Sequence, residues 1–193
     1  MTTSDGVAVV GTGPVPRPLR NLPKADVDDL GTYRRLAVTG GEAELAAVLS
    51  ALLRAGRLDI EVAAVNGSWS ARRALRASAR RVPLIRDETG TVLVSWAQWH
   101  GPEGAPLQGE AIVDDVVLFD GQAPGVRVEP TLVMPGLRAS VLSERGRPSR
   151  WVAGRAAQLG TPGAQVIRDG VPAPRTVRRS TFYRHTEGWL RVG

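Results

Sequence analysis

Three short stretches carry residues that can hold a phosphate. Gly40 and Gly41 follow the apolar run Leu36 to Val38 and open an amphipathic segment. Such a strand-to-helix turn offers free backbone N–H groups and the positive end of a helix dipole to an anion. A purely structural reading stands beside it, because a sharp turn needs residues that tolerate positive φ. Gly67 and Ser68 follow a second apolar run, Ile60 to Val65, and lead to Ala71 and Arg72, whose guanidinium would serve the same anion. The third stretch is Arg178-Arg179-Ser180-Thr181-Phe182-Tyr183-Arg184-His185. Arginines grip phosphates bidentately, and the hydroxyls and imidazole add donors. As a strand it would present Arg179, Thr181 and Tyr183 on one face and Ser180, Phe182 and Arg184 on the other. An ordinary polar edge strand reads the same way.

Other reactive combinations are weaker. Ser180 and His185 lie close in sequence, but no Gly-x-Ser-x-Gly elbow surrounds the serine, and a triad is defined by geometry. The histidines are His100 and His185, and no His-Glu-x-x-His pattern exists. There is no cysteine, which removes disulfides, thiol catalysis and zinc–thiolate sites. Asp114-Asp115 and Asp120-Gly121 sit near strand ends, where a general base or a metal ligand can stand; Asp-Gly is equally a plain turn. Asp26, Asp28 and Asp29 form a further acidic group. No metal site is expected.

The elements that would position these residues follow from periodicity. Leu45, Val48, Leu49 and Leu52 fall at i, i+3, i+4 and i+7, one apolar face of a helix. Thr39 and Glu42 have the spacing of a capping box, and Gly56 marks the stop. With Leu36–Val38 before it and Ile60–Val65 after, this is a strand–helix–strand unit. Ser68 or Ser70 can cap a second, arginine-rich helix over residues 71–81, which reads either as a solvated face or as a basic wall beside a ligand. Val7 to Val10 has the makings of a short strand before Gly11-Thr12-Gly13. A lone Gly-x-Gly is a weak signal, and Pro14, Pro16 and Pro18 forbid a helix directly after it. Residues 1–33 are therefore expected to form a Pro-rich leader. From Val82 onward six to eight short apolar runs alternate with Gly/Pro turns. The expected fold is a small α/β strand–helix–strand part over residues 34–81, followed by a mainly β sandwich over 82–193.

The chain carries a net charge of +6 with a pI of 11.0, and of its 25 basic residues only Lys24 is a lysine. That balance favours an anionic partner: a small molecule, a lipid headgroup, a membrane surface or nucleic acid. Aromatic residues make up only 5%, few for stacking on single strands. Trp96, Trp99, Trp151 and Trp189 suit either a core or a protein interface. No apolar run approaches the roughly 18–20 residues of a membrane span, and no secretory pattern opens the chain, so a cytoplasmic protein is expected.

Taken in order, these parts resemble the diacylglycerol kinase-like lipid kinases and their NAD kinase relatives. In that superfamily a Gly-Gly-Asp-Gly-Thr motif binds ATP phosphates, and a Gly-Thr-x-Asn-Asp stretch is followed shortly by Ala-Arg. VTGGEAE, with Gly40 and Gly41, stands at the first; NGSWSAR, with Gly67, Ser68, Ala71 and Arg72, stands at the second. Asp169-Gly170 is similar to the Asp-Gly turn near the family's C-terminus. The resemblance covers residues 34–193 and implies a phosphotransferase ancestry, with ATP and magnesium as cofactors and Gly40, Gly41, Gly67, Ser68 and Arg72 around the phosphates. It also implies loss: Glu42, Ala43 and Glu44 stand where the family has Asp, Gly and Thr, and two carboxylates beside a phosphate are electrostatically unfavourable. A degenerate relative that binds a phosphate-bearing ligand is one expectation. An arginine-rich, non-catalytic regulator binding nucleic acid, anionic membrane or a protein partner is the other.

Overall fold

The computed structural model describes residues 6–193. In chain order the strands and helices are β1 Val7–Val10, β2 Arg35–Thr39, α1 Glu42–Arg54, β3 Glu61–Val65, α2 Ser68–Arg76 and β4 Ala79–Val82. Then come β5 Ile85–Asp87, β6 Val92–Leu93, β7 Ala97–His100, β8 Leu107–Val113, β9 Val116–Ala123 and β10 Val126–Pro130. The last are β11 Leu137–Val141, β12 Val152–Gly154, β13 Ala156–Arg168, β14 Val171–Pro172, β15 Val177–Arg184 and β16 Trp189–Val192. They divide into two compact units, residues 6–82 with 187–193, and residues 83–186.

The first unit is an α/β sheet in the order β1-β2-β3-β16-β4. The first four strands run parallel and β4 closes the edge antiparallel. Helix α1 buries Val48, Leu49 and Leu52 of the expected face, with Ala46 beside them while Leu45 is half-buried, and stops at Gly56 with φ +65°. There the Arg57 N–H reaches back to the Leu52 carbonyl, as a left-handed C-terminal stop requires. The expected capping box does not form: Thr39 is the last residue of β2, and Gly41 takes the N-cap position without a side-chain hydrogen bond. The Thr39 hydroxyl instead donates to the Gly13 carbonyl at 3.2 Å. Arg35 is buried, paired with Glu61, and donates to the Ala74 carbonyl at 2.7 Å, which ties β2, β3 and α2 together.

Further features differ from the sequence expectation. The arginine-rich helix, expected over residues 71–81, spans Ser68–Arg76, and Ala79–Val82 pairs with β16 as β4 instead. The Pro-rich leader contributes β1, because the four apolar residues Val7–Val10 are buried and pair with β2 in parallel. The C-terminal β part also gives up its last strand: β16 sits between β3 and β4, so the α/β sheet is completed by residues more than a hundred positions downstream. Its alternation looks like any other short strand, and only pairing assigns it.

The second unit is β throughout, in agreement with the strand-rich reading. Its sheet follows the path β12-β11-β10-β7-β13-β15-β5-β6, with β8, β9 and β14 attached. Strand β13 organises it. The first half of β13 pairs with β15 and β8; then, past an irregularity between Gly160 and Ala164, its second half pairs with β7 and β14. One strand thus serves two layers, and the core closes between them. Trp99 stacks on Phe182 at 5.7 Å within that core, among Leu107, Leu137, Val126 and Val166. Trp99 and Trp189 are core residues, whereas Trp96 and Trp151 are half-buried under the guanidinium groups of Arg127 and Arg138.

Candidate functional site

In the first unit β1, β2 and β3 are adjacent and parallel, so their carboxyl ends share one edge. A glycine turn follows each: Gly11-Thr12-Gly13, Gly40-Gly41 and Asn66-Gly67-Ser68. The first two turns are packed backbone on backbone. A Cβ at Gly11, where φ is +108°, would collide with the Thr39 carbonyl, and one at Gly13 would collide with the backbone of Gly40. Gly40 itself has φ +117°, and a side chain there would meet Glu44. Gly41 and Gly67 differ, because nothing lies within 4 Å of where their Cβ atoms would be. These two leave open space in front of the turns.

That space is a cleft of about 600 Å³ lined by residues 12–16, Gly40, Gly41 and residues 65–68. Among the described residues that line it, none has a charged side chain. Thr12 and Asn66 supply polar side chains, while Pro14, Val15, Pro16 and Val65 give it an apolar flank. Helices α1 and α2 both begin here, with Gly41 and Gly67 at their N-cap positions. Gly41, at the N-cap of α1, brings no side-chain hydrogen bond to the first turn, whose N–H groups lack an intrahelical partner. At α2 the Ser70 hydroxyl accepts the N–H groups of Asn66 and Gly67 at 3.0 and 3.1 Å and fixes the turn. Free N–H groups, two helix N-termini and glycines at the carboxyl edge of a parallel sheet are what an anion needs. Against this stands Glu44, in the first turn of α1, which accepts a hydrogen bond from the Thr12 hydroxyl across the two glycine turns.

Of the residues singled out in the sequence, Gly40, Gly41, Gly67 and Ser68 line this one cleft. Arg72 is exposed on α2, one helical turn beyond Ser68. Arg179 and Arg184 belong to the second unit. Arg179 lines a shallow hollow with Thr181, Gln158 and Glu110, and Arg184 donates to the Pro135 carbonyl at 2.9 Å. Thr12 and Asn66 were missed. The signal for Thr12 was the Gly-x-Gly after Val10, discounted because prolines follow; the structure uses those prolines as cleft wall rather than helix.

Several candidates resolve as scaffold. Ser180 is buried and accepts the Trp99 indole N–H at 3.0 Å, so it is a core hydroxyl and no nucleophile beside His185. The His185 Nδ1 accepts from Arg86. Asp169 holds the backbone N–H groups of Val94, Ser95 and Trp96, and Asp114 those of Arg155 and Ala156. Among the described residues no three His, Asp or Glu side chains gather as a metal site would.

No family model and no curated protein sequence matches the chain. Solved structures do. An NAD kinase from Archaeoglobus fulgidus, in complex with ATP, superposes with a TM-score of 0.65 over 97% of this chain and 93% of that one, at 12% identity. A yeast NADH kinase complexed with NADH gives 0.60 over 89% of this chain and 65% of that one, also at 12% identity. The fold is NAD kinase-like. The diacylglycerol kinase-like relation read from the glycine motifs is consistent with it. No helix among the described residues is long and apolar enough to cross a membrane.

Proposed function

We propose that the cleft binds the phosphate-bearing part of a nucleotide, and that this NAD kinase-like chain is a degenerate relative that holds such a ligand without transferring its phosphoryl group efficiently. One observation carries the reading: three glycine turns, from three adjacent parallel strands, converge on one uncharged cleft. The similar archaeal kinase was solved with ATP. For ATP, the backbone of Gly40, Gly41, Gly67 and Ser68 would hold the phosphates, with the Thr12 hydroxyl and Asn66 amide as side-chain partners. Arg72 stands four residues beyond Ser68 on the same helix face and would pair with a phosphate at the rim. Magnesium carried on the phosphates would offset the carboxylates of Glu42 and Glu44.

The loss of transfer follows from the same turn. Phosphoryl transfer depends on positioning and on charge stabilisation. Here Glu44 adds negative charge in the first turn of α1 and occupies the Thr12 hydroxyl. Calorimetric titration with ATP and magnesium tests the assignment. The wild type should bind; Glu44→Gln should bind more tightly. Gly67→Ala, which places a methyl in the open space of the cleft and keeps the phosphate from the backbone N–H groups, should weaken binding about tenfold or more. Gly67 has extended backbone and open space around it, so that variant should fold as the wild type does. Absence of binding in the wild type, or equal binding in Gly67→Ala, would remove the cleft as the site. Phosphorylated product from NAD or a diacylglycerol would overturn the degenerate part alone. The competing reading, a charge-driven regulator on nucleic acid or anionic membrane, requires affinity that collapses between about 50 and 200 mM salt.

A further inference from the structure

A second group of residues in the α/β unit is built against electrostatic preference. Arg80 on β4 and Arg191 on β16 are register partners, directly opposite one another across an antiparallel ladder. Like charges in that arrangement destabilise a sheet. Arg73 of α2 completes the group. Its guanidinium lies over the exposed Trp69 ring at 4.8 Å, and its Nη2 would lie 3.5 Å from a Cβ on Gly193, just past the end of β16. Several other arginines have a carboxylate partner: Arg34 and Arg35 pair with Glu61, Arg57 with Asp59, Arg81 with Glu187, Arg127 and Arg138 with Glu129, and Arg168 with Asp87. Arg73, Arg80 and Arg191 have no carboxylate partner among the described residues. Arg191 is half-buried, and burial, then Arg80, then Arg73, push its pKa down. The ladder register of Arg80 and Arg191 and the approach of Arg73 to the end of β16 bring these three arginines together without an ion-pair partner among the described residues.

We propose that Arg73, Arg80 and Arg191 form a second anion site that takes a phosphate group of a small soluble molecule. A tetrahedral phosphate oxyanion offers enough acceptor oxygens for three guanidinium forks at once, and a bound dianion turns the Arg80–Arg191 repulsion into shared attraction. The Trp69 ring holds the Arg73 guanidinium in place before the ligand arrives. The site does not rest on the cleft reading: none of the three arginines lines the cleft, and Arg73 lies five residues, about 8 Å of helix rise, beyond Ser68.

Inorganic pyrophosphate is the probe, titrated by calorimetry. Because it is also a candidate for the glycine turns, the test is made in the Gly67→Ala protein, with and without Arg191→Gln. One saturable site should remain in Gly67→Ala, and adding Arg191→Gln or Arg80→Gln should weaken it about tenfold or more. Without anion, Arg191→Gln should melt no lower than its parent, since it removes a like-charge pair. Equal pyrophosphate affinity with and without Arg191→Gln, or no binding in Gly67→Ala, overturns the site. Binding only to phosphatidic acid vesicles or only to duplex DNA, with no pyrophosphate binding, overturns the small-molecule assignment. Failure of the cleft reading shows separately, as a single pyrophosphate site in the wild type that Gly67→Ala leaves intact.

Discussion

At the scale of residues, arginine does most of its work as scaffold. Arg35 is almost wholly buried, and Glu61 is its counter-charge. Removing one partner of such a pair strands the other in a low-dielectric interior. Glu61→Ala should therefore cost about 2–3 kcal/mol in urea unfolding, because Glu61 retains some exposure. Arg34→Ala, on an exposed partner of the same carboxylate, should cost well under about 1 kcal/mol. Glu129 gives a pH test. Burial pushes its carboxyl up, but hydrogen bonds from Arg138 and Arg127 outweigh burial and hold it below the usual range. The unfolded chain then takes up the proton first as pH falls. The stabilisation is complete above the unfolded value of about 4.3 and is lost as pH drops through the lower folded value. Glu129→Gln should be less stable than wild type at neutral pH, and the gap should close in acid. A gap that widens on acidification would contradict the sign.

At the scale of elements, the glycine turns separate packing from function. Gly11→Ala places a methyl against the Thr39 carbonyl at a left-handed φ, and backbone cannot yield as a flexible side chain would. That substitution should cost about 3 kcal/mol or more, enough to unfold a marginal sheet. Gly67→Ala meets nothing and should leave the melting temperature within about 2–4 °C of wild type. Ser70→Ala loses the hydroxyl that accepts the Asn66 and Gly67 N–H groups, and should lower stability by about 1 kcal/mol. Thermal scans of the three variants check the ranking. Comparable losses at Gly11 and Gly67 would show that both turns are merely structural.

At the scale of the whole molecule, the α/β unit is closed by the far end of the chain. Strand β16 lies between β3 and β4, so its removal leaves two edges where one continuous sheet stood. It also exposes Val82, the register partner of Trp189. A chain ending at Thr186 should keep the β signature of residues 83–186 and lose protection across residues 6–82. Hydrogen exchange reads both directly. Undiminished protection of β3 and β4 in the shortened chain would show that β16 is dispensable.

The sequence by itself determined the elements. The 3.6-residue period of α1 with its Gly56 stop, the apolar runs of β2 and β3, and the short strands after Val82 are all local signals, and each formed where its pattern stands. It also marked Gly40, Gly41, Gly67 and Ser68, since glycine after a strand is legible from neighbours alone. Tertiary structure decided the rest. Thr39 fits a capping box by spacing but is held in β2 and bonds to Gly13, a partner distant in sequence. Val7–Val10 became a strand because β2 was there to pair with it, and Thr12 joined the cleft by the same pairing. Ser180 was fixed as a core hydroxyl only by Trp99 arriving across the sheet. Periodicity records which face of a segment avoids water; it carries no record of which segment will lie against that face.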